Sequence, residues 1–441
     1  MTDHSTGPEG GIETAPWRDQ YAERMMRTFG VPLLELVRGA GARVWDVDGR
    51  EYLDFLAGIA VNSLGHAHPV VVEAASRQAA TLMHISNYFA SEPQLALAQR
   101  LRRLTGAGAG GRVFFANSGA EAIEAAIKLA RRTGRTRIIA LEQSFHGRTM
   151  GSLALTGKPA LREPFEPLIP HVEHIDSTIE ALRAAIGPDV AALVVEPIKG
   201  EAGVLPLPEG YLAAARAITA EHGVLLIVDE IQTGAGRTGA WFAYQHEGIT
   251  PDAVALAKGI GGGVPIGALV TFGAASELLV AGQHGSTFGG NPFATAVSDA
   301  VLAEIERAGL VENAALRGPQ IEAAIAGIGS PLVAGTRGRG LLIGVPLTAP
   351  VAGEVMRAAL AQGLIVNAPS DDTIRIAPPL TIGDAEVAEF AERFAAALRD
   401  VAGDATPDPA DRAAVPAAPA SRAAPQARIE PSTATPEEAT A

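Results

Sequence analysis

The chain has 441 residues, 47% hydrophobic and 19% charged, enough for two or three domains around a sizeable core. A net charge of -14 excludes the basic footprint of a non-specific nucleic-acid binder. With no cysteine, neither a disulfide framework nor a thiolate metal site is possible.

Residues 1–16, "MTDHSTGPEGGIETAP", read as a frayed arm. They lack an apolar h-region, so no signal peptide is expected. The apolar runs of the chain fall well short of the ~20 residues that span a bilayer, and the expected location is the cytoplasm. The segment 17–55 holds the strand-like "ARVWDVDGREYLDF" and is expected to pack with a small domain late in the chain. His66 and His68 stand one residue apart before Pro69, but no further ligands accompany them, so they read as a loop pair rather than a zinc site.

From residue 56 to about 300, strand-like and helix-like blocks alternate. "RVFFANSGAEAIEAAIKLARRTG" (112–134) reads as strand, turn, helix, and "RIIALEQSFHG" (137–147) as a strand and loop. "AALVVEPIKGEAGV" (191–204), "VLLIVDEIQTG" (224–234), "AVALAKGIGGG" (253–263) and "IGALVTFG" (266–273) supply further strands. Their continuous apolar runs predict parallel strands covered by helices on both faces. Ligands of such sheets lie beyond the carboxyl ends of the strands. The region 301–401 predicts a smaller α+β domain, with helices over 302–327, 351–362 and 384–399 and strands near 341–346 and 373–376. Residues 402–441 carry seven prolines and only two bulky aliphatics, Val415 and Ile429. Such a segment buries too little to offset its ordering entropy and is expected to be disordered.

The residues that end the strands carry the chemistry. "NSGAEA" (117–122) opens a helix whose unpaired amides suit a phosphate, with the Ser118 hydroxyl adding a donor. A serine before a helix is also an ordinary cap, and the motif alone leaves the two readings level. In "SFHGRTMGSLALTG" (144–157), Phe145 can cover a flat ring and Arg148 can clamp a carboxylate. Alone, Phe145 reads more readily as a core residue, and Arg148 is also readable as a surface residue. Glu196 and Glu201 follow the next strand, and Asp229 ends the one after it, followed by Gln232. Lys258 closes a buried apolar run, where an ammonium is costly unless paired or chemically converted. A snorkelling lysine fits poorly between that run and "GIGGGVPIG".

One ligand asks for this whole set: pyridoxal 5'-phosphate. A lysine amine forms a Schiff base with its aldehyde, and a buried carboxylate keeps its pyridine nitrogen protonated, so that the ring accepts electrons. An aromatic stacks on the ring, and backbone amides hold the phosphate.

The chain resembles the class III pyridoxal-phosphate aminotransferases, of the aspartate-aminotransferase fold (fold type I), over roughly residues 20–400. The resemblance rests on "GREYLDFLAGIAVNSLGHAHP", "FFANSGAEA", "SFHGRTMGSLALTG", "EPIKGEAGV", "LLIVDEIQTGAGRTG", "ALAKGIGGGVPIGA", "GSTFGGNP" and "GRGLLIG". It implies an α/β fold with a large, mostly parallel-sheet domain and a smaller α+β domain. It assigns Lys258 the Schiff base and proton transfer, Asp229 the pyridinium nitrogen and Gln232 the 3'-oxygen. Ser118, Gly119 and Ala120 would bind the phosphate, and Phe145 would stack on the ring. Thr287 would reach the phosphate of a neighbouring subunit's cofactor, which implies a homodimer with shared active sites. Arg148 and Ser286 are implied substrate contacts. Arg375 would receive the α-carboxylate of glutamate, and Glu201 would pair with Arg375 when the other substrate is bound. Glu196 would be a supporting carboxylate. The resemblance implies ping-pong transamination with 2-oxoglutarate and glutamate. It is strongest to the branch acting on N-acetylornithine, whose relatives also take succinyl-diaminopimelate. Phe29, aligned with a tyrosine of ornithine-specific members, offers no hydroxyl to a free α-amine.

Rival readings are weaker. A non-catalytic relative would be expected to lose Lys258 or Asp229. A nicotinamide-dependent dehydrogenase would need G-x-G-x-x-G after the first strand, which is missing, and "GIGGGVPIG" leads into a strand. Within the enzyme class, an ornithine, γ-aminobutyrate or other ω-amino-acid aminotransferase is the main competitor.

Overall fold

The computed structural model describes residues 16–403; the expected N-terminal arm, apart from Pro16, and the expected tail beyond Gly403 lie outside the described residues. In chain order the strands begin with β1 (Leu36–Ala40), β2 (Arg43–Asp46) and β3 (Glu51–Asp54). Then come β4 (Arg112–Ala116), β5 (Arg137–Leu141), β6 (Val172–Ile175) and β7 (Val190–Val195). A short hairpin, β8 (Ile198–Lys199) and β9 (Leu205–Pro206), precedes β10 (Leu225–Asp229), β11 (Ala253–Leu256) and β12 (Gly267–Thr271). The last are β13 (Arg337–Arg339), β14 (Leu342–Pro346), β15 (Leu364–Ile365), β16 (Asn367–Ser370) and β17 (Thr373–Ile376).

The central sheet has seven strands in the order β4-β12-β11-β10-β7-β5-β6. Every residue of β7, β11 and β12 is buried, as runs such as "VAALVV" require when helices cover both faces. β12 departs from the expectation of parallel strands: it runs antiparallel to both β11 and β4. The reason lies in the connection. Only residues 257–266 separate it from β11, too few for a crossover helix, and Gly262 and Gly263 turn the chain back with φ of 56° and 111°. The carboxyl ends of β4, β5, β7, β10 and β11 therefore share one edge with the start of β12.

A second sheet, β1-β2-β3-β15, joins the N-terminal segment to residues 364–365, with β15 parallel to β3. Phe55 stacks on Phe390 of the helix Asp384–Gly403 at 4.7 Å, and Arg43 reaches Glu389 of that helix at 2.5 Å. A third sheet, β13-β14-β17-β16, carries Arg375 on its fully buried strand β17. The single helix expected over 302–327 is two. Pro292–Arg307 ends before Gly309, whose φ of 63° breaks the ladder, and Leu310–Ile328 follows. Among the described residues, no helix is long and apolar enough to cross a membrane.

Candidate active site

A cavity of about 450 Å³ opens at the shared edge of the central sheet. Ser118, Gly119, Ala120, Phe145, Arg148, Glu196, Glu201, Asp229, Gln232 and Lys258, all singled out in the sequence, line it.

Its cradle follows β4. Ser118 caps the helix Gly119–Arg131, its hydroxyl accepting from the Glu121 amide at 3.2 Å. The amides of Gly119 and Ala120 find no acceptor among the described residues, as expected for the first turn of a helix. They face the cavity at the positive end of the helix dipole. Backbone crowds this corner. A Cβ at Gly267, the first residue of β12, would lie 2.2 Å from the Ser118 carbonyl.

Asp229 closes β10 and is 4% exposed. Its Oδ1 accepts from the Ile231 amide at 3.0 Å and its Oδ2 from His146 Nδ1 at 2.7 Å. Burial opposes charge on His146, but the hydrogen bond and charge of Asp229 prevail and hold the imidazole above its ordinary pKa. The other ring nitrogen, Nε2, is buried without a partner among the described residues. Glu196 accepts from the Phe145 amide at 2.8 Å. Burial first, and then Asp229, push its carboxyl upward, against the pull of His146.

Lys258 follows β11 with φ of 47°, a left-handed backbone that non-glycine residues rarely hold and that clusters at functional sites. It is half-buried and lines the cavity. Burial lowers its pKa, Glu201 pulls it back up, and Arg375 lowers it further. The neutral amine is thus more accessible than on a solvated lysine.

Arg375, 1% exposed, lies behind Glu201. Its Nη1 donates to Glu201 Oε1 at 2.5 Å, to Gln232 Oε1 at 3.2 Å and to the Gly200 carbonyl at 3.3 Å. Its Nε donates to Asn367 Oδ1 at 2.9 Å. Burial pushes the Glu201 carboxyl up, but Arg375 outweighs it and holds the group below its ordinary range. Arg148 is exposed at the mouth, its guanidinium carbon 5.6 Å from the centre of the Phe145 ring.

The family described as "Aminotransferase class-III" matches residues 25–398 of the chain. The chain belongs to the class-III aminotransferases. It shares the fold type I architecture of that family, and it is an aminotransferase. It is 53% identical to the acetylornithine aminotransferase of Mycobacterium tuberculosis over 391 residues, 88% of this chain and 98% of the relative. It is 53% identical to that of Streptomyces coelicolor over 374 residues, 84% of this chain and 92% of the relative. Among solved structures, N-acetylornithine aminotransferase from Stenotrophomonas maltophilia superposes with a TM-score of 0.76 at 36% identity, covering 88% of this chain and 99% of that one. Ornithine aminotransferase from Toxoplasma gondii superposes with a TM-score of 0.84 at 33% identity, covering 88% and 95%.

Three positions read from this aminotransferase's sequence stay away from the cavity of their own chain. Thr287 and Phe29 are exposed. Ser286 accepts from Asn117 Nδ2 at 3.1 Å and from the Gly289 amide at 3.0 Å, and does not line the cavity. His66 pairs with Asp54 at 2.8 Å, and His68 caps the helix Pro69–Thr81. Sequence reasoning gave His146 no role. The available signal was the buried carboxylate itself, which needs a donor beside it. Asn117, also on the cavity wall, was passed over as a turn residue; its amide holds both Glu121 and Ser286.

Proposed function

We propose that the chain transfers the δ-amino group of N2-acetyl-L-ornithine to 2-oxoglutarate, by a ping-pong route, giving N-acetyl-L-glutamate 5-semialdehyde and L-glutamate. This step belongs to arginine biosynthesis, and we place it in the cytoplasm. The observation that carries the reading is the Glu201–Arg375 pair at 2.5 Å, whose Glu201 lines the same cavity as Lys258, Asp229 and Arg148. Identity of 53% to enzymes named for acetylornithine supports the choice of donor.

The residues fit pyridoxal 5'-phosphate. The unpaired amides of Gly119 and Ala120 and the Ser118 hydroxyl would hold its phosphate, Phe145 and Gln232 its ring and 3'-oxygen, and Asp229 its ring nitrogen. When bound, the cofactor supplies an aldehyde that joins the substrate amine and a ring that takes up an electron pair.

The chain's own residues do the rest. Lys258 Nζ takes a proton from Cδ of the donor in one half-reaction and delivers a proton to Cα of the nascent glutamate in the other. His146 fixes Asp229 in place, so the carboxylate faces the ring nitrogen without reorganising. The α-carboxylate of N-acetylornithine is remote from the reacting carbon and falls to Arg148. Glutamate reacts at its own α-carbon, so its near carboxylate falls to Arg375 and its far one to Arg148. Glu201 neutralises Arg375 in the first case and leaves it in the second, so a buried guanidinium is never left unpaired.

A homodimer with shared sites is part of the reading. Tyr88, Phe89 and Phe288 are 94%, 69% and 61% exposed. Their two loops are tied together: Asn87 Nδ2 donates to the Ser286 and Gly289 carbonyls, at 3.1 Å each. One apolar face thus carries Thr287 and suits a second copy.

The test is optical. Purified protein with its cofactor should be yellow, bleach on addition of N-acetylornithine and recover with 2-oxoglutarate. Bleaching by γ-aminobutyrate or unblocked ornithine alone would overturn the donor assignment. Bleaching by succinyl-diaminopimelate as well would widen it.

A further inference from the structure

On the reading above, Glu201 and Arg375 separate once in every cycle. The backbone that carries Glu201 is closely packed. It is the turn Gly200–Ala202 between β8 and β9, where a Cβ on Gly200 would lie 2.1 Å from Gln232 Oε1. The side-chain torsions are the simplest route for the swing. The Glu201 carboxylate leaves Arg375 in surroundings where burial by itself opposes the charge, and a second cation beside it would offset that cost.

Few cations reach it. Lys258 is committed to the proton. Arg148 holds the far carboxylate of the same substrate. Lys158 remains, in the loop after the helix Met150–Leu155. It is half-buried, and its Nζ donates to the backbone carbonyl of Glu201 itself at 2.5 Å. An ammonium has three N–H groups. This one makes no other hydrogen bond and no ion pair among the described residues. Its nearby charges are Glu201 and Glu196, set against Arg375 and Arg148, and burial lowers its pKa. Rotation about the Glu201 side-chain torsions carries the carboxylate toward a donor already seated on its own residue.

We propose that Lys158 is a positioning residue of the transamination: its ammonium takes over the Glu201 carboxylate whenever a substrate carboxylate occupies Arg375. The proposal rests on the dual-substrate reading given above, and it makes the swing an exchange of partners rather than an exposure of charge.

Glutarate tests it, being a dicarboxylate of the length of 2-oxoglutarate that cannot accept an amine. Its affinity for the full-length holoprotein is measured by calorimetry. Lys158→Met should weaken glutarate about tenfold, within the range of coupling between residues in contact, and Lys158→Arg should restore most of it. In a Glu201→Gln background the same Lys158→Met change should cost less than about twofold, because no carboxylate is left to receive. Equal weakening in both backgrounds would mean that Lys158 merely supports the loop, and no weakening in either would mean that it is idle; both overturn the proposal. Bleaching by N-acetylornithine is scored separately. Its failure overturns the donor assignment, while the glutarate cycle still decides for or against Lys158.

Discussion

Glu230 follows Asp229 into the turn that bears Gln232, and it gives the sharpest stability test. It is 1% exposed. Its carboxyl accepts from the Thr233 hydroxyl and, at 2.8 Å, from the Tyr244 amide. Burial dominates these donors, helped by the charge of Asp229, and pushes the group from 4.5 up to about 7. The folded state therefore holds a proton that the unfolded chain has released. Stability from this group is fully present below pH 4.5 and is lost as pH rises to about 7. At about 1.4 kcal/mol per pH unit, the loss is about 3 kcal/mol. Glu230→Gln keeps the shape and an acceptor for Tyr244 but cannot ionise. Urea denaturation of both proteins across pH 4.5 to 8, followed by fluorescence, isolates the group, because the other titrations cancel in the difference. The variant should gain about 3 kcal/mol relative to the parent across that window. A difference that stays flat within about 1 kcal/mol, or that falls with pH, would refute the reasoning. The two donors would then be carrying the charged form.

Lys258→Ala should lower turnover by roughly 100- to 10,000-fold or more, the worth of a general base, measured by 2-oxoglutarate-dependent semialdehyde formation from N-acetylornithine; normal turnover would remove the residue from the chemistry. His146→Leu takes one charged hydrogen bond from Asp229, worth about 1.5–3 kcal/mol, so turnover should fall roughly 10- to 150-fold while near-UV circular dichroism shows an intact fold. An unchanged rate would mean that Asp229 needs no anchor. Gly267→Ala presses a methyl into the Ser118 carbonyl, 2.2 Å away. Overpacking of about 1–3 kcal/mol at the cradle should weaken cofactor binding by the apoprotein about tenfold, read from the visible absorbance. Equal binding would place the phosphate elsewhere.

Much of the site was legible because β-strands buried on both faces have few reasons to end in charge. Asp229 and Lys258 each follow an unbroken apolar run, and the polar residue marks the edge where the covering helices stop. Residue types could then be matched to a ligand without coordinates. Two features resisted this logic. The His146–Asp229 bond joins residues 83 apart in sequence, and nothing near either one specifies the other. Lys158 reaches a residue 43 positions away from an ordinary "GKP" turn that carries no special signal. The reversal of β12 was written in the short glycine connection, but apolar content alone cannot distinguish a parallel strand from an antiparallel one buried on both faces. The break at Gly309 was hidden because its flanks, on both sides, keep a helical period.

The two carboxylate pairs of the site look alike by distance, 2.7 Å for Asp229–His146 and 2.5 Å for Glu201–Arg375. They differ in their surroundings. Both side chains of the first pair are sealed, at 4% and 0% exposed, and removing a partner there strands a charge with no water to meet it. That pair is suited to permanence, which a ring nitrogen needing a constant counter-charge requires. In the second pair Arg375 is 1% exposed but Glu201 is 28%, with a lysine on its own carbonyl. The cost of opening it falls mainly on the arginine, and under the proposed function a substrate carboxylate would remove that cost on arrival. On the proposed reading, similar bond lengths serve opposite ends, one pair fixed and one exchangeable, and the partition of burial between the partners decides which is which.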